Sequence, residues 1–327
     1  MDGIKGIHHV TALTSSAEAI YHFFTYTLGM RLVKKTVNQD DIQTYHLFFA
    51  DDIGSFGTNI TFFNSPGLPK GSHGNNEIYQ ISFRVPNNDA LNYWLKRFER
   101  LNVNHEGIKE LFGKKVLPFT DFDNQQYQLI SDENNEGRAS GLPWKNGPIP
   151  NEYAITGLGP IFIRVEQYGY LKEVLESVHH FNQIDQEGAL YLFEIGEGGN
   201  GAQVIVEEND FLPPAKQGYG TVHHVAFYVE NEETLKEWDV RYRRFGLSTS
   251  GTIDRYFFHS LYTRVAPQIV FALATNGPGF LEDEAYETLG EKLSLPPFLE
   301  NQRSYIESKV KSIDTVRSNK IIKKEYE

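Results

Sequence analysis

Hydrophobic and polar positions repeat along this chain in one recurring order. An apolar-rich stretch opens at residue 7 and contains His8-His9-Val10. Ile20, Phe23, Phe24 and Leu28 then recur as one face of a helix, and Gly29 suits its C-terminal cap. Strand-like segments follow at 45–49 and 59–63, so the unit reads strand, helix, then two or three strands. A second unit opens at 79–85, carries helix positions Leu91, Trp94, Leu95 and Phe98, and closes near 126–130. A third opens at 159–165, carries Leu171, Val174, Leu175 and Val178, and closes near 203–207. The fourth opens at 223–229, carries Leu235, Trp238, Tyr242 and Phe245, and runs through about 268–274.

This repeat predicts an α+β fold of four βαβββ modules in two paired halves with a C-terminal helical extension. The expected boundaries are 1–145 for the N-terminal pair, 152–280 for the C-terminal pair and 281–327 for the extension. Residues 141–151 (GLPWKNGPIPN) read as the linker. A helix is expected around 301–311. Aligning the opening strands places His9, Gln80, Pro160 and His224 at one equivalent position.

Composition narrows the chemistry. There is no cysteine, which removes disulfides, thiolate nucleophiles and iron–sulfur clusters, and leaves histidine, carboxylate or other oxygen ligands for any metal. The net charge of −12 makes nucleic acid and anionic membrane poor partners. No apolar run is long enough for a transmembrane helix, and the first residues lack a signal-peptide apolar region, so a cytoplasmic location is expected. Paired units within one chain make a homo-oligomer compatible with the site but unnecessary for it.

Only 11 of the 327 residues are histidine, yet the triplet His8-His9-Val10 returns as His223-His224-Val225. Adjacent strand residues point to opposite faces, so one His of each pair can face a shared interior. Two imidazoles from distant segments are the start of a metal site; the plainer alternative is two buried strands that carry polar residues. Other signals are weaker. Gly196 to Gly201 matches G-x-G-x-x-G, but a strand-like segment follows it, so a hairpin turn is expected. His179 and His180 end a helical pattern, where solvent and helix-end roles are expected. His259 should face opposite Tyr262, and Arg255 has Asp254 beside it as a surface partner.

Four such units with His on the opening strands resemble the vicinal oxygen chelate superfamily, which includes glyoxalase I, extradiol dioxygenases and bleomycin-resistance proteins. Residues 34–41 (KKTVNQDD), 44–47 (TYHL), 57–63 (GTNITFF), 289–293 (LGEKL) and 295–300 (LPPFLE) look like the hydroquinone-type ring-cleaving dioxygenases within it. The resemblance runs from residue 4 to about 303. It implies Fe(II), sometimes Mn(II), held by His9, His224 and a glutamate in a 2-His-1-carboxylate site. It also implies pocket roles for His8, Thr11, His223, Arg255 and Tyr262. The glutamate position is occupied by Ala272, and Glu194, Glu207 and Glu282 are not obvious substitutes. The implied activity is a non-haem iron, extradiol-type dioxygenase that opens a small hydroquinone or catechol ring with O₂, in quinone detoxification or aromatic catabolism, impaired by Ala272. The alternatives are a non-catalytic aromatic- or quinone-binding protein and a glyoxalase-like isomerase or lyase.

Overall fold

All four units form in a computed structural model that describes residues 3–326. The first comprises β1 (Ile7–Leu13), α1 (Ala17–His22), β2 (Arg31–Asn38), β3 (Asp41–Ala50) and β4 (Asn59–Asn64). The second comprises β5 (Glu77–Val85), α2 (Asn88–Leu101), β6 (Lys109–Leu111), β7 (Lys114–Thr120) and β8 (Gln126–Ser131). The third comprises β9 (Gly157–Val165), α3 (Tyr168–Glu173), β10 (Asn182–Glu187), β11 (Leu190–Glu194) and β12 (Gln203–Glu208). The fourth comprises β13 (Val222–Tyr228), α4 (Glu232–Arg244), β14 (Thr249–Asp254), β15 (His259–Ala266) and β16 (Ile269–Ala274). A short helix, α5 (Arg303–Lys309), lies in the extension. No helix among the described residues is long and apolar enough to cross a membrane.

The sheets do not follow the two halves of the sequence. One has the order β14-β15-β16-β13-β1-β4-β3-β2 and joins the first unit to the fourth; the other, β10-β11-β12-β9-β5-β8-β7-β6, joins the second to the third. The seams are antiparallel, β1 against β13 and β5 against β9. In the sheets the first unit thus associates with the fourth and the second with the third. Each opening strand needs a partner for its free edge, and any other opening strand has the right alternation. The choice is made by the connectors after β4 and after β12, which lie side by side through bridges such as Ser72 to Lys216.

One core spans both sheets. The Phe24 ring meets Phe49 and Phe62 of the first sheet at 5.1 and 4.9 Å, and Phe83 and Tyr127 of the second at 5.9 Å each. Phe24→Ala is expected to destabilise by about 3–5 kcal/mol, the usual cost of emptying a fully buried aromatic site. Urea unfolding should show a lower midpoint at unchanged slope.

Residues 141–151, read as the linker, are packed against the first unit. Trp144 and Ile149 are buried, and the carboxylates of Asp51 and Asp52 accept from the Leu142 and Lys145 amides at 2.9 and 3.1 Å. The extension is also integral. Lys34 is fully buried beneath Asp283, at 2.6 Å, and Glu284; Lys35 donates to Thr315 at 2.7 Å; Arg317 donates to the Leu32 carbonyl at 3.0 Å. A buried ammonium is tolerated only with such partners.

Two lesser expectations resolve cleanly. The glycines at 196, 198 and 199 adopt positive φ in a turn ahead of β12, and the Glu194 carboxylate accepts from the Gly199 amide at 2.8 Å. His179, expected near solvent, is fully buried, between the Val174 carbonyl and the Tyr242 hydroxyl at 2.9 Å each. Its hydrogen bonds tie the third unit's helix to α4, and burial holds its pKa at about 4.

The second sheet carries no copy of the histidine pair, although Gln80 lines a cavity of about 320 Å³ there. At the position equivalent to His9, the Gln80 amide donates to Gln128 at 3.1 Å, and Gln128 donates to Ser82 at 3.0 Å. Tyr79, Phe162, Leu192 and Ile205 form a small apolar cluster on the same sheet.

Candidate metal and substrate site

The seam of the first sheet brings the two histidine pairs together. Thr11 stands opposite His224 and His9 opposite Ala226. Strand alternation then aims His9, Thr11 and His224 into the hollow of the curved sheet. They line a cavity of about 420 Å³ with His46 of β3, His223, Tyr262 of β15, Arg255 and Arg264. Phe48, Phe63, Phe257 and Phe258 provide apolar walls.

The ligand nitrogens face each other: His9 Nε2 and His224 Nε2 are 3.2 Å apart. Their far sides are fixed by the neighbouring residues. His8 Nε2 lies 2.9 Å from the Thr275 carbonyl, which can only accept, so this nitrogen carries the proton. The other nitrogen of a neutral His8 ring is then bare and accepts from His9 Nδ1 at 2.7 Å. His9 Nε2 is left with a free lone pair, the state a metal requires. His224 Nδ1 meets His223 Nδ1 at 2.8 Å. When that bond is donated by His223, His224 Nε2 carries a proton for His9; when it is donated by His224, two lone pairs face one point. The second tautomer needs a cation between them.

Burial keeps these rings neutral. It holds His9 at about pKa 3 and His223 at about 4, and pushes His8, His46 and His224 well below the usual value. The desolvation cost of an imidazolium is the largest cause in each case.

Six of the seven expected site residues line the cavity: His9, Thr11, His223, His224, Arg255 and Tyr262. His8 does not; it sits behind His9, against Phe56 at 4.3 Å, where a bulge in the β1–β13 register lets the two rings meet. Arg255 takes Asp40 as partner at 2.9 Å rather than Asp254, and lies over the Tyr262 ring at 5.4 Å. His259 faces away, toward Glu232 at 3.5 Å. Ala272 is fully buried between Ala226 and Tyr262 on neighbouring strands, in one apolar cluster with Phe48, Phe257 and Phe258. Glu194 and Glu207 belong to the other sheet.

Sequence reasoning missed His46 and Arg264. His46 Nε2 lies 2.9 Å from Thr61, whose hydroxyl meets Thr11 at 2.8 Å, and Thr11 meets His224 at 3.3 Å. A hydrogen-bond chain thus runs from His46 to the ligand pair. The available signal was the single polar ring within the apolar run 45–50.

The donor set fits a divalent ion through two protein bonds. Two imidazole nitrogens each about 2.1 Å from one ion, at about 100° to each other, would stand about 3.2 Å apart, which is the separation observed. Among the described residues no third His, Asp or Glu joins them.

The comparisons with known proteins show the family. Residues 6–122 match the model of the Glyoxalase/Bleomycin resistance protein/Dioxygenase superfamily. The chain is 43% identical to MhqA of Bacillus subtilis (strain 168), a protein named as a ring-cleaving dioxygenase, over 95% of this chain and 99% of that one. The chain belongs to the ring-cleaving dioxygenase family of this superfamily. Its relatives include the chlorohydroquinone/hydroquinone 1,2-dioxygenase of Sphingobium indicum, 28% identical over 91% of this chain and 93% of that one. A crystal structure of a Bacillus subtilis protein named as a dioxygenase superposes with a TM-score of 0.88 at 31% identity, covering 97% of this chain and 99% of that one. The family's glyoxalase-like fold and the four-unit organisation agree with the expectation from sequence.

Proposed function

We propose that this chain is a divalent-metal-dependent dioxygenase that opens a hydroquinone- or catechol-type ring with O₂. The observation that carries the reading is the pair of neutral imidazole nitrogens 3.2 Å apart on the floor of an aromatic-walled cavity. MhqA is named as a ring-cleaving dioxygenase and the Sphingobium indicum relative as a chlorohydroquinone/hydroquinone 1,2-dioxygenase. His9 and His224 would hold the ion, Fe(II) in this reading and Mn(II) as the alternative, and the ion would relay electrons from ring to O₂. Water or substrate would complete its coordination in place of a carboxylate.

The chain's own residues then do the following. Phe48, Phe63 and Phe258 sandwich the ring and exclude water. Arg255, oriented by Asp40, offsets the charge of an ionised ring hydroxyl, and the Tyr262 hydroxyl is its hydrogen-bonding neighbour. His223, neutral and lining the cavity, accepts from His224 Nδ1 in the metal-binding tautomer and so presents its Nε2–H as a donor to a ring oxygen. His8 fixes the tautomer of His9.

Protein reconstituted with Fe(II) is expected to consume O₂ with a substituted hydroquinone. His224→Ala should abolish metal retention and lower the rate by at least about 100-fold, since half of the protein's bonds to the ion are lost. Absence of O₂ uptake by the iron-loaded wild type across a panel of hydroquinones and catechols would overturn the reading. The lack of a carboxylate beside the histidines favours one other function, a quinone- or hydroquinone-binding protein that needs no metal. Calorimetric binding of a hydroquinone by metal-free protein, with no O₂ uptake on iron loading, would favour it.

A further inference from the structure

We propose that the ring bound in this cavity carries a carboxylate on a short methylene tether, and that Arg264 binds that carboxylate at the mouth. The inference rests on the ring-cleaving reading for the ring, and on separate observations for the charge.

Size comes first. A cavity of about 150 Å³ suffices for benzene, whereas this one is about 420 Å³. A bare dihydroxylated ring leaves most of it empty, so a substituent of ring size or larger fits.

Charge comes second. Asp40 is the only carboxylate lining the cavity among the described residues, and it is bonded to Arg255. With that carboxylate engaged by Arg255, the second guanidinium, Arg264, has no carboxylate facing it across the cavity. It gives one N–H to the Pro267 carbonyl at 2.6 Å and has no ion-pair partner among the described residues. Its remaining donors form a fork suited to a carboxylate.

Position comes third. Arg264 follows Tyr262 by two residues on β15, about 6.7 Å further along the strand. The Tyr262 ring is 5.3 Å from His224. Exposure rises from buried His224 through half-buried Tyr262 to exposed Arg264, which sets the direction of the mouth. A ring seated against His224 and Tyr262 therefore has Arg264 about one ring length outward. Val270, opposite Arg264 in register, and Phe63, 5.6 Å from His223, provide apolar flanks for the tether.

The test is calorimetry on full-length protein, with and without Zn²⁺, titrated with 2,5-dihydroxyphenylacetate and with its methyl ester. Wild type is expected to bind the acid at least about tenfold more tightly than the ester, with the preference shrinking at high salt. Arg264→Gln should reduce that preference below about twofold and leave ester affinity unchanged; Arg264→Lys should keep part of it. Should the glutamine variant fail to fold, the wild-type salt dependence and the lysine variant decide. Equal affinity for acid and ester, binding of neither, or a preference that survives Arg264→Gln overturns the proposal. O₂ uptake by iron-loaded protein is read separately. Acid preference without O₂ uptake would retire ring cleavage and leave this inference standing, and O₂ uptake without acid preference would do the reverse.

Discussion

Ala272→Glu is expected to raise affinity for a divalent metal by about 100-fold or more. A carboxylate bond to an otherwise under-neutralised ion is worth about 3 kcal/mol or more, and each 1.4 kcal/mol is a factor of ten. The site is prepared for this change, because Ala272 lies between Ala226 and Tyr262 on the strand beside His224. Without metal the same substitution should be harmful. It places a carboxylate among Ala226, Phe48, Phe257 and Phe258, where an unpaired charge costs several kcal/mol or takes up a proton. The variant should therefore melt below wild type when stripped of metal and above it when loaded. Metal analysis and O₂ uptake on both proteins separate three outcomes. Activity gained only in the variant means that Ala272 has disabled an ancestral centre. Activity in both means that water or substrate completes the coordination of the wild type. No gain in metal content means that position 272 does not face the ion, and the assignment fails.

Acidification is expected to unfold this protein over a narrow range below neutrality. His8, His9, His46, His179, His223 and His224 are buried and held below the ordinary histidine value by desolvation. The unfolded chain binds protons at these rings as pH falls through about 6.5, and the folded chain does not until far lower. Their stabilising contribution is thus complete above about 6.5 and is lost on descent toward their folded values of about 3 to 4. Two carboxyls act in the opposite direction. Burial raises Asp121 to about 7 and also raises Glu284, so the folded state takes up their protons first. These six histidines and His180, also lowered, less the two carboxyls and His73, raised by its hydrogen bond to Glu77, leave a net of four protons favouring the unfolded state, each costing at most about 1.4 kcal/mol per pH unit. A domain stable by about 5–15 kcal/mol cannot absorb that for long. Thermal melts from pH 7.5 to 4.5 should show the steepest fall between about 6 and 5, and His46→Gln should flatten it by one proton. A melting temperature unchanged down to pH 5 would falsify the burial of these rings as neutral species.

The helical face of Ile20, Phe23, Phe24 and Leu28, and its three later copies, made the four units legible because a buried helix face must repeat with the helix period. The paired histidines were legible as candidate ligands because histidine is scarce in the chain and these sit at matched strand positions. Arg255 and Tyr262 entered through resemblance, and the cavity contains both. His46 was not found, since a lone histidine on an apolar strand reads as core until the strand's neighbours are known. Arg264 was hidden because a strand residue that faces a cavity mouth has the same local pattern as one that faces open solvent.

By itself the sequence determined the fold class and marked His9 and His224 as candidate ligands, both of which depend on local periodicity and residue chemistry. Only the tertiary structure decided that the first unit closes on the fourth. Four opening strands with the same alternation compete equally for one another's edges, and the contest is settled by connectors whose paths are non-local. That closure sets 3.2 Å between His9 and His224, moves His8 behind its neighbour and covers Ala272 with phenylalanine. Each of these follows from which strand lies beside β1.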